Sequence, residues 1–550
     1  MKLLVIGGVA GGMSAATRAR RVNEAADIIV FERGPHVSFA NCGLPYFIGR
    51  TIRDRSELIL QTPQRLRKRF NLDVRVLNEV TAIDREAKTV TVRDLQAERD
   101  YTEGYDKLIL SPGARPVRPP IPGLDDPAVF TLRNMEDMDR IDAAVEAATG
   151  GRAVVIGGGF IGLEMVESLK DRGLDVALAE MLPHVMPGLD PEMAEPIHRH
   201  LREKGVPLFL ANAASAVERE GDAVIVRLKD GTALPCDLII LAVGVRPETE
   251  LAREAGLEIG PTGGIKVDEY LTSSDPDIYA VGDAIEVKNC VTGQPVLMPL
   301  AGPANRQGRV AADNVCGRRT PFRGVQCTAI VKVFDLAVAN TGANEQTLRD
   351  LGIAHEKIYV HPGSHAGYYP GATSMTLKLL FSTENGRVLG AQIVGRDGVD
   401  KRIDVLAMAI QAGMTVYDLE ESELAYAPPY GAGKDPVNMA GFVAANHLRG
   451  DMDIVHANEI TDDTTVLDVR TAGEFKAGHL PGAVHVHVNE LRQQMDSVPT
   501  GEPLAVICAS GYRSYFACRI LTQSGFQAAN VPGGYGVYRL HHPGPAAEEA

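Results

Sequence analysis

Two cysteines in this 550-residue chain have neighbours that could make them react. Cys42 lies in the run Ser38-Phe-Ala-Asn41-Cys42-Gly-Leu-Pro45, and the residues from Gly43 suit a helix start whose dipole would favour a thiolate. With no partner cysteine nearby, a thiolate there can cycle through sulfenic acid. It can equally attack a sulfur–sulfur bond and hold half of it as a mixed disulfide. Cys508 ends the apolar run Leu504 to Ile507, and the six residues Cys508-Ala-Ser-Gly-Tyr-Arg513 read as a loop from strand end to helix start. Amides of such a loop can point inward as an anion nest that stabilises a thiolate or persulfide, and Arg513 adds a fixed positive charge. Cysteines 236, 290, 316, 327 and 518 bring the total to seven, with no C-x-x-C and no metal-ligand spacing. That odd, scattered set fits a reducing compartment better than a disulfide framework and reads as small apolar residues, with Cys518 in a core.

The elements that must position these thiols are legible around them. Residues 2–6 form an apolar strand, Gly7-Gly8-Val9-Ala10-Gly11-Gly12 follows, and a helix is expected from Met13. Glycines let such a turn close tightly and bring backbone N–H groups to a pyrophosphate at the helix N-terminus. A second strand, Asp27 to Phe31, ends at Glu32, 20 residues past Gly12, where a carboxylate can bind ribose hydroxyls. The pattern recurs as strand 153–156, the complete fingerprint Gly157-Gly-Gly159-Phe160-Ile161-Gly162, and strand 175–179 ending at Glu180. An acid there favours NADH over NADPH. The length implies three to four domains at about 150 residues each. A formal charge of −15 argues against a general polyanion-binding surface. The first apolar run is broken by four glycines and belongs to a βαβ unit, so no signal peptide is inferred, and no run reaches the ~20 apolar residues of a membrane span. The expected location is the cytoplasm.

Further segments carry a resemblance. Lys107 to Ala114 (KLILSPGA), Ile239 to Pro247 (IILAVGVRP) and Ile278 to Ala284 (IYAVGDA), in that order with the two fingerprints, resemble the two-dinucleotide disulfide reductase superfamily over residues 1–447. The resemblance implies an α/β fold with two Rossmann-like dinucleotide-binding domains, an α+β dimerisation domain and a homodimer with an interdomain active site. Expected boundaries are 1–117 and 247–320 for the two parts of an FAD domain, 118–246 for an NAD(P)H domain and 321–447 for dimerisation. FAD contacts are expected at Gly7, Gly8, Ala10, Gly11, Gly12, Glu32, Arg33, Val80, Ser111, Gly113, Ala114, Asp283 and Ala301. The nicotinamide contacts are expected at Gly157, Gly159, Phe160, Ile161, Gly162, Glu180 and Gly244. Relatives with two redox cysteines have the second five residues on, where this chain has Phe47.

His365-Ala-Gly-Tyr-Tyr-Pro-Gly371 and the run 425–439 (AYAPPYGAGKDPVNM) are similar to the coenzyme A disulfide reductase and persulfide reductase branch. There, a tyrosine pair from the partner subunit points at the cysteine site. By motif the pair is Tyr368 and Tyr426, with Tyr369 and Tyr430 as near misses. A phenol can donate a proton to a departing thiolate. Coenzyme A contacts are implied at Ser14, Arg18, Arg21, Ser38, Asn41, Asn305 and Lys434, with Arg65 to Arg69 adding charge nearby. Beyond an expected linker at 448–460, residues 461–545 resemble a rhodanese domain, an α/β fold, through Val466-Leu-Asp-Val-Arg470, Glu474-Phe475, Gly478-His-Leu-Pro-Gly-Ala483 and the Cys508 loop. Related phosphatase-like domains have one more loop residue, so this loop length favours sulfur over phosphate.

The reading is an FAD-dependent, NAD(P)H-driven reductase of coenzyme A persulfide, polysulfide or coenzyme A disulfide. Cys42 is its redox centre, and Cys508 with Arg513 handles sulfane sulfur; no metal, nucleic acid or membrane is expected. The rival enzyme is an NADH oxidase or peroxidase cycling through sulfenic acid at Cys42. The rival of another class is a redox-regulated binding protein that relays sulfur from Cys508 to a partner.

Overall fold

The computed structural model describes residues 1–221 and 223–542. The described chain forms two compact units, Met1–Val185 with Gly205–Val325, and Met186–Lys204 with 326–542.

The first unit holds two parallel five-stranded sheets. One runs in the order Ile278–Ala280, Lys107–Leu110, Lys2–Ile6, Asp27–Glu32, Asp73–Val76. Four of its strands are short, apolar and mostly buried because both faces are covered, and the edge strand Asp73–Val76 is half-buried. The edge strand at 278 joins strands from the first 110 residues, so this sheet is assembled from separate stretches of the sequence. The second sheet runs Leu208–Phe209, Asp175–Ala179, Arg152–Ile156, Leu238–Leu241, Val129–Phe130. The first helix spans Ala10–Val22 and begins three residues before the expected Met13. Ala10, Gly11 and Gly12 read as loop by composition, yet the helix starts among them. There, a Cβ at Gly12 would lie 1.9 Å from the Gly7 carbonyl oxygen, so glycine permits the closest helix–strand approach.

The second unit contains an antiparallel sheet ordered Ala329–Val333, Leu336–Gly342, Val388–Gly395, Met375–Ser382, His355–Val360. Helix Pro191–Glu203, inside the span 118–246 expected for the nicotinamide domain, packs in this unit instead. The physical reason is a buried ionic knot. Lys378, fully buried, places Nζ 2.7 Å from Asp190 Oδ2, 2.5 Å from Glu192 Oε1 and 2.7 Å from Glu345 Oε2. Lys357 Nζ adds a bond of 2.7 Å to Glu345 Oε1. A buried ammonium is tolerated only when paired this completely, and the lysines hold the Glu345 carboxyl down at about 2 despite burial.

A parallel sheet of Asp453–Ile454, Ala528–Asn530, Leu504–Ile507, Thr465–Asp468 and Val484–His485 forms the C-terminal domain. The expected linker 448–460 is therefore corrected: Asp453–Ile454 pairs with Ala529 and Asn530 as an edge strand. The expected C-terminal boundary at 545 falls on residues 543–545, outside the described residues. Within this unit the domain is fastened to strand His355–Val360. His456 Nε2 lies 2.7 Å from Glu356 Oε1, and a Cβ on Gly533 would come 2.9 Å from Cβ of Tyr359.

Candidate active site

The two glycine loops are built alike. Glu32 accepts from Gly8 N–H at 2.8 Å and from Gly34 N–H at 2.8 Å. Glu180 accepts from Gly158 N–H at 2.6 Å and from Leu182 N–H at 2.8 Å. Each acid thus ties its loop to the next strand. Gly7 and Gly157 take φ of +99° and +107°, a left-handed region that favours glycine. Neither following helix has a side-chain cap, leaving its first amides free for an anion. Above Gly159 a Cβ would meet nothing within 4 Å, and Gly162 packs as Gly12 does, 1.9 Å from the Gly157 carbonyl oxygen. Phe160 and Ile161 open that second helix, and Gly244, with φ of +100°, follows the strand Leu238–Leu241.

A cavity of about 550 Å³ opens over the first loop, and Gly7, Gly8, Ala10, Gly11, Glu32, Arg33, Val80, Ser111, Gly113, Ala114 and Asp283 line it. Cβ atoms on Gly8 and Gly11 would lie 2.7 Å from Val37 Cγ1 and 2.9 Å from Ser111 Oγ, so the bare backbone is needed where a dinucleotide would rest. Burial pushes the Asp283 carboxyl up to about 6, opposed by the charge of Arg133, which leaves a carboxyl short of partners facing the cavity. These features fit FAD. Two expected contacts lie elsewhere: Gly12 sits beneath the loop, and Ala301 only starts helix Ala301–Val315, whose Ala304 reaches the cavity. Arg33 is held by Glu248 in bonds of 2.8 and 2.9 Å.

Cys42 sits in a short 3₁₀ helix, Asn41–Gly43, leading into helix Leu44–Ile48. Ser38, with φ of +46°, sends its N–H to the Gly8 carbonyl at 2.8 Å, and Ala40 N–H reaches the Leu58 carbonyl at 2.8 Å. The thiol is exposed, with Asn41 Oδ1 at 3.9 Å. The expectation that a helix start would favour a thiolate is corrected. Partial burial, then the carboxylates of Glu164 and Asp283, push the thiol up, opposed only by its own backbone N–H. Burial is the largest of these causes, and Cys42 lies one residue before Gly43, the N-cap of helix Leu44–Ile48.

Sequence reasoning missed Glu164 and Tyr46. Tyr46 OH donates to Glu164 Oε1 at 3.1 Å, and burial raises the half-buried Glu164 carboxyl to about 6. The available signal was an acid in the otherwise apolar run Phe160-Ile-Gly-Leu-Glu-Met-Val.

Among the expected coenzyme A contacts, Ser14 OH donates to Asn305 Oδ1. Arg18 pairs with Asp313 at 2.8 Å rather than pointing free, and Arg21 Nε donates to the Thr17 carbonyl on an exposed face. Gln61, Arg65, Lys68 and Arg69 line a basic cavity of about 460 Å³. In the second unit Lys434 is exposed. Tyr368 and Tyr426, 75% and 52% exposed, join hydroxyl to hydroxyl at 2.7 Å, whereas Tyr369 packs edge-on against His365. The shared bond holds the Tyr368 hydroxyl above its ordinary value.

Cys508, fully buried, follows strand Leu504–Ile507, and helix Tyr512–Gln523 begins four residues later. Its Sγ accepts from Gly511 N–H at 3.2 Å and from Ser514 OH at 3.3 Å, the second of which the motif did not reveal. Gly511 has φ of +86° and its carbonyl accepts from Asn530 at 3.2 Å. Arg513 is aimed by a two-pronged pair with Glu474, at 2.8 and 2.7 Å. Arg513 in turn holds the Glu474 carboxyl down at about 2. The Cys508 and Ala509 carbonyls accept from Tyr535 N–H at 2.7 Å and Gly536 N–H at 3.0 Å, which fixes the loop from below. Cys518 is buried core, as expected.

Known proteins match this arrangement along the chain. The family described as pyridine nucleotide-disulphide oxidoreductase matches residues 1–308, its dimerisation domain residues 328–434, and the rhodanese-like domain residues 452–540. A crystal structure of reduced CoADR-RHD from Bacillus anthracis is 48% identical, covers 98% of each chain and superposes with a TM-score of 0.97. A NAD-dependent persulfide reductase from A. fulgidus is 40% identical over 98% of this chain and 100% of its own, with a TM-score of 0.92. A coenzyme A disulfide reductase of Staphylococcus haemolyticus is 38% identical over 444 residues, 80% of this chain and 99% of that protein. Among the described residues no helix is long and apolar enough to cross a membrane. With its paired dinucleotide loops, lone exposed cysteine and cradled second cysteine, the chain belongs to the pyridine nucleotide-disulphide oxidoreductases, enzymes that use FAD and NAD(P)H, and carries a dimerisation domain and a rhodanese domain.

Proposed function

We propose that the protein reduces the sulfur–sulfur bond of a coenzyme A persulfide, a polysulfide or coenzyme A disulfide at Cys42, and that Cys508 carries sulfane sulfur. The observation that carries this reading is the pairing, on one chain, of an exposed cysteine lacking a resolving partner with a buried cysteine whose Sγ already receives two donors. Bound FAD and nicotinamide supply the electron pair.

The chain's own residues do the rest. Cys42 attacks the substrate's S–S bond, keeps one sulfur in covalent linkage and lets the other leave. In a homodimer the joined hydroxyls of Tyr368 and Tyr426 from one subunit donate a proton to the sulfur leaving Cys42 of the other. The basic group Arg65, Lys68 and Arg69, with Arg21 and Lys434, meets the phosphates of coenzyme A, and Ser14, Asn305, Ser38 and Asn41 meet its pantetheine end. At the other site Gly511 N–H, Ser514 OH and the Glu474-aimed Arg513 stabilise negative sulfur on Cys508. A coenzyme A persulfide suits this fusion because each site then acts on sulfane sulfur. A sulfenic-acid cycle would use neither the tyrosine pair nor Cys508.

The test is anaerobic stopped-flow oxidation of NADH with coenzyme A persulfide, coenzyme A disulfide, polysulfide and hydrogen peroxide as separate acceptors. Fast turnover on a sulfur acceptor, lost in Cys42→Ser, is expected. Turnover on peroxide alone would overturn the reading.

A further inference from the structure

Cys508 Sγ receives one of its two hydrogen bonds from Gly511, at 3.2 Å, and Gly511 is a residue that cannot hold itself in place. It has to be glycine: its φ is +86°, and a Cβ there would lie 2.8 Å from the Gly533 amide nitrogen. Glycine is also the residue freest to leave such a conformation. Gly511 opens helix Tyr512–Gln523, yet the helical bond from Tyr515 N–H to its carbonyl is long, at 3.3 Å. Ser514, the other donor to the sulfur, lies inside that helix and is held by it.

The missing tie comes from the neighbouring strand. Asn530 ends strand Ala528–Asn530, and its Nδ2 donates to the Gly511 carbonyl at 3.2 Å. Its backbone is fixed on both sides, paired with Val506 and with Ile454, and its carbonyl accepts from Val455 N–H at 3.1 Å. The side chain is buried, and its Oδ1 has no hydrogen-bond partner among the described residues. A buried acceptor without a donor is a cost to the fold, one that an apolar side chain of the same shape would avoid. What the Asn530 amide adds is its bond to Gly511.

We propose that Asn530 is a positioning residue of the sulfur loop: by holding the Gly511 carbonyl it keeps the Gly511 N–H turned to Cys508 Sγ. With φ and the carbonyl both fixed, the peptide planes that meet at Gly511 cannot swing, and the donor is in place before charge arrives. Asn530 acts on the sulfur through Gly511. This rests on Cys508 being the cysteine that carries sulfane sulfur. In the transfer, the Cys508 thiolate attacks the outer sulfur of thiosulfate, the S–S bond breaks, and sulfite leaves with the electron pair. Cyanide then takes the outer sulfur of the Cys508 persulfide as thiocyanate, and the thiolate returns. Negative charge sits on sulfur in both halves, so one preset amide serves each.

The experiment follows the Cys508 thiol by carbon-13 NMR in the flavin-loaded full chain, with cysteine labelled at Cβ and the Cys508 signal identified by its loss in Cys508→Ser. The titration runs from about pH 5 to 10, the span in which cysteine thiols ionise. Asn530→Leu keeps the shape of the side chain and removes its donor. Its expected midpoint lies about half a unit above the parent's, because a hydrogen bond to the charged form is loosened. In thiosulfate-to-cyanide transfer its kcat should fall about tenfold, with the KM for thiosulfate within about twofold. A residue that only filled the core would lower the thermal midpoint of unfolding and move neither. A Cys508 titration in Asn530→Leu that overlays the parent's would overturn the proposal. If that variant does not fold, an unmoved titration in Asn530→Ala would overturn it alone. The titration needs no sulfur donor, so a parent that transfers no sulfur would refute the role of Cys508 and leave this comparison to decide.

Discussion

Cys42 is exposed, and partial burial with the carboxyls of Glu164 and Asp283 holds its thiol above the ordinary range. Cys508 is fully buried, accepts from an amide and a hydroxyl, and has Arg513 beside it, aimed by Glu474. The difference follows from what each sulfur must meet. On the proposed function, a thiol that attacks a bulky substrate has to stay open, so no enclosing set of donors surrounds it. A thiol that stores a single sulfur atom can be enclosed by fixed donors, which cost no reorganisation when the charge arrives.

The largest test separates the two. Cys42→Ser should lower NADH-driven S–S reduction by about a thousandfold or more while leaving thiosulfate-to-cyanide sulfur transfer intact, and Cys508→Ser should do the reverse. One variant abolishing both activities would break the comparison. Next, Tyr426→Phe should cost about a hundredfold in reductive turnover, as loss of a general acid does, without affecting sulfur transfer. Because Tyr426 is half exposed, its thermal midpoint should stay within about a degree or two of the parent.

The two neighbourhoods should also respond oppositely to pH. Glu164 has a folded value raised to about 6, above its ordinary 4.5, so its cost to the fold is absent below 4.5, grows between 4.5 and 6, and is constant above. Glu164→Gln should therefore stabilise the protein by about 1–2 kcal/mol at pH 7.5 and by little at pH 4.5, measured by thermal unfolding at both. Glu474 has the opposite sign: it is depressed to about 2, so its contribution is full above 4.5 and fades as pH falls toward 2. Sulfur transfer by Glu474→Gln should accordingly lose the acid sensitivity that the parent shows over that window. The smallest effect is expected of Ser514→Ala. Removing one neutral donor from Cys508 Sγ is worth about 1 kcal/mol, a several-fold loss in sulfur-transfer rate with reduction unchanged.

Much of this was legible because it is local. Strands Asp175–Ala179 and Leu504–Ile507 fall where their apolar runs and flanking glycines or cysteine put them. The spacing of Glu32 and Glu180 from their glycines put each acid at the strand end beside its loop, where it accepts from a loop amide. The misses are contacts between distant residues. Arg18 looked like a free cation on a helix face, but Asp313 meets it from 295 residues away. Tyr46 and Glu164 are 118 residues apart. Lys378, in the alternating run Met375-Thr-Leu-Lys-Leu, resembles an outward-facing strand residue until helix Pro191–Glu203 supplies its carboxylates. The linker was misjudged because Asp453–Ile454 becomes a strand only by pairing with residues 529 and 530.

The turn at Gly533, Gly534 and Gly536 makes the seam between the dimerisation and rhodanese domains a shared interior. On one side it carries the amides that hold the Cys508 and Ala509 carbonyls. On the other it presses against Tyr359 and lies beside His361, whose buried Nε2 has no hydrogen-bond partner among the described residues. A cut made after Leu448 would therefore leave two raw faces, an aromatic and an imidazole newly wet on one piece and an unsupported sulfur loop on the other. Here the sulfur loop and strand His355–Val360 share one packed seam.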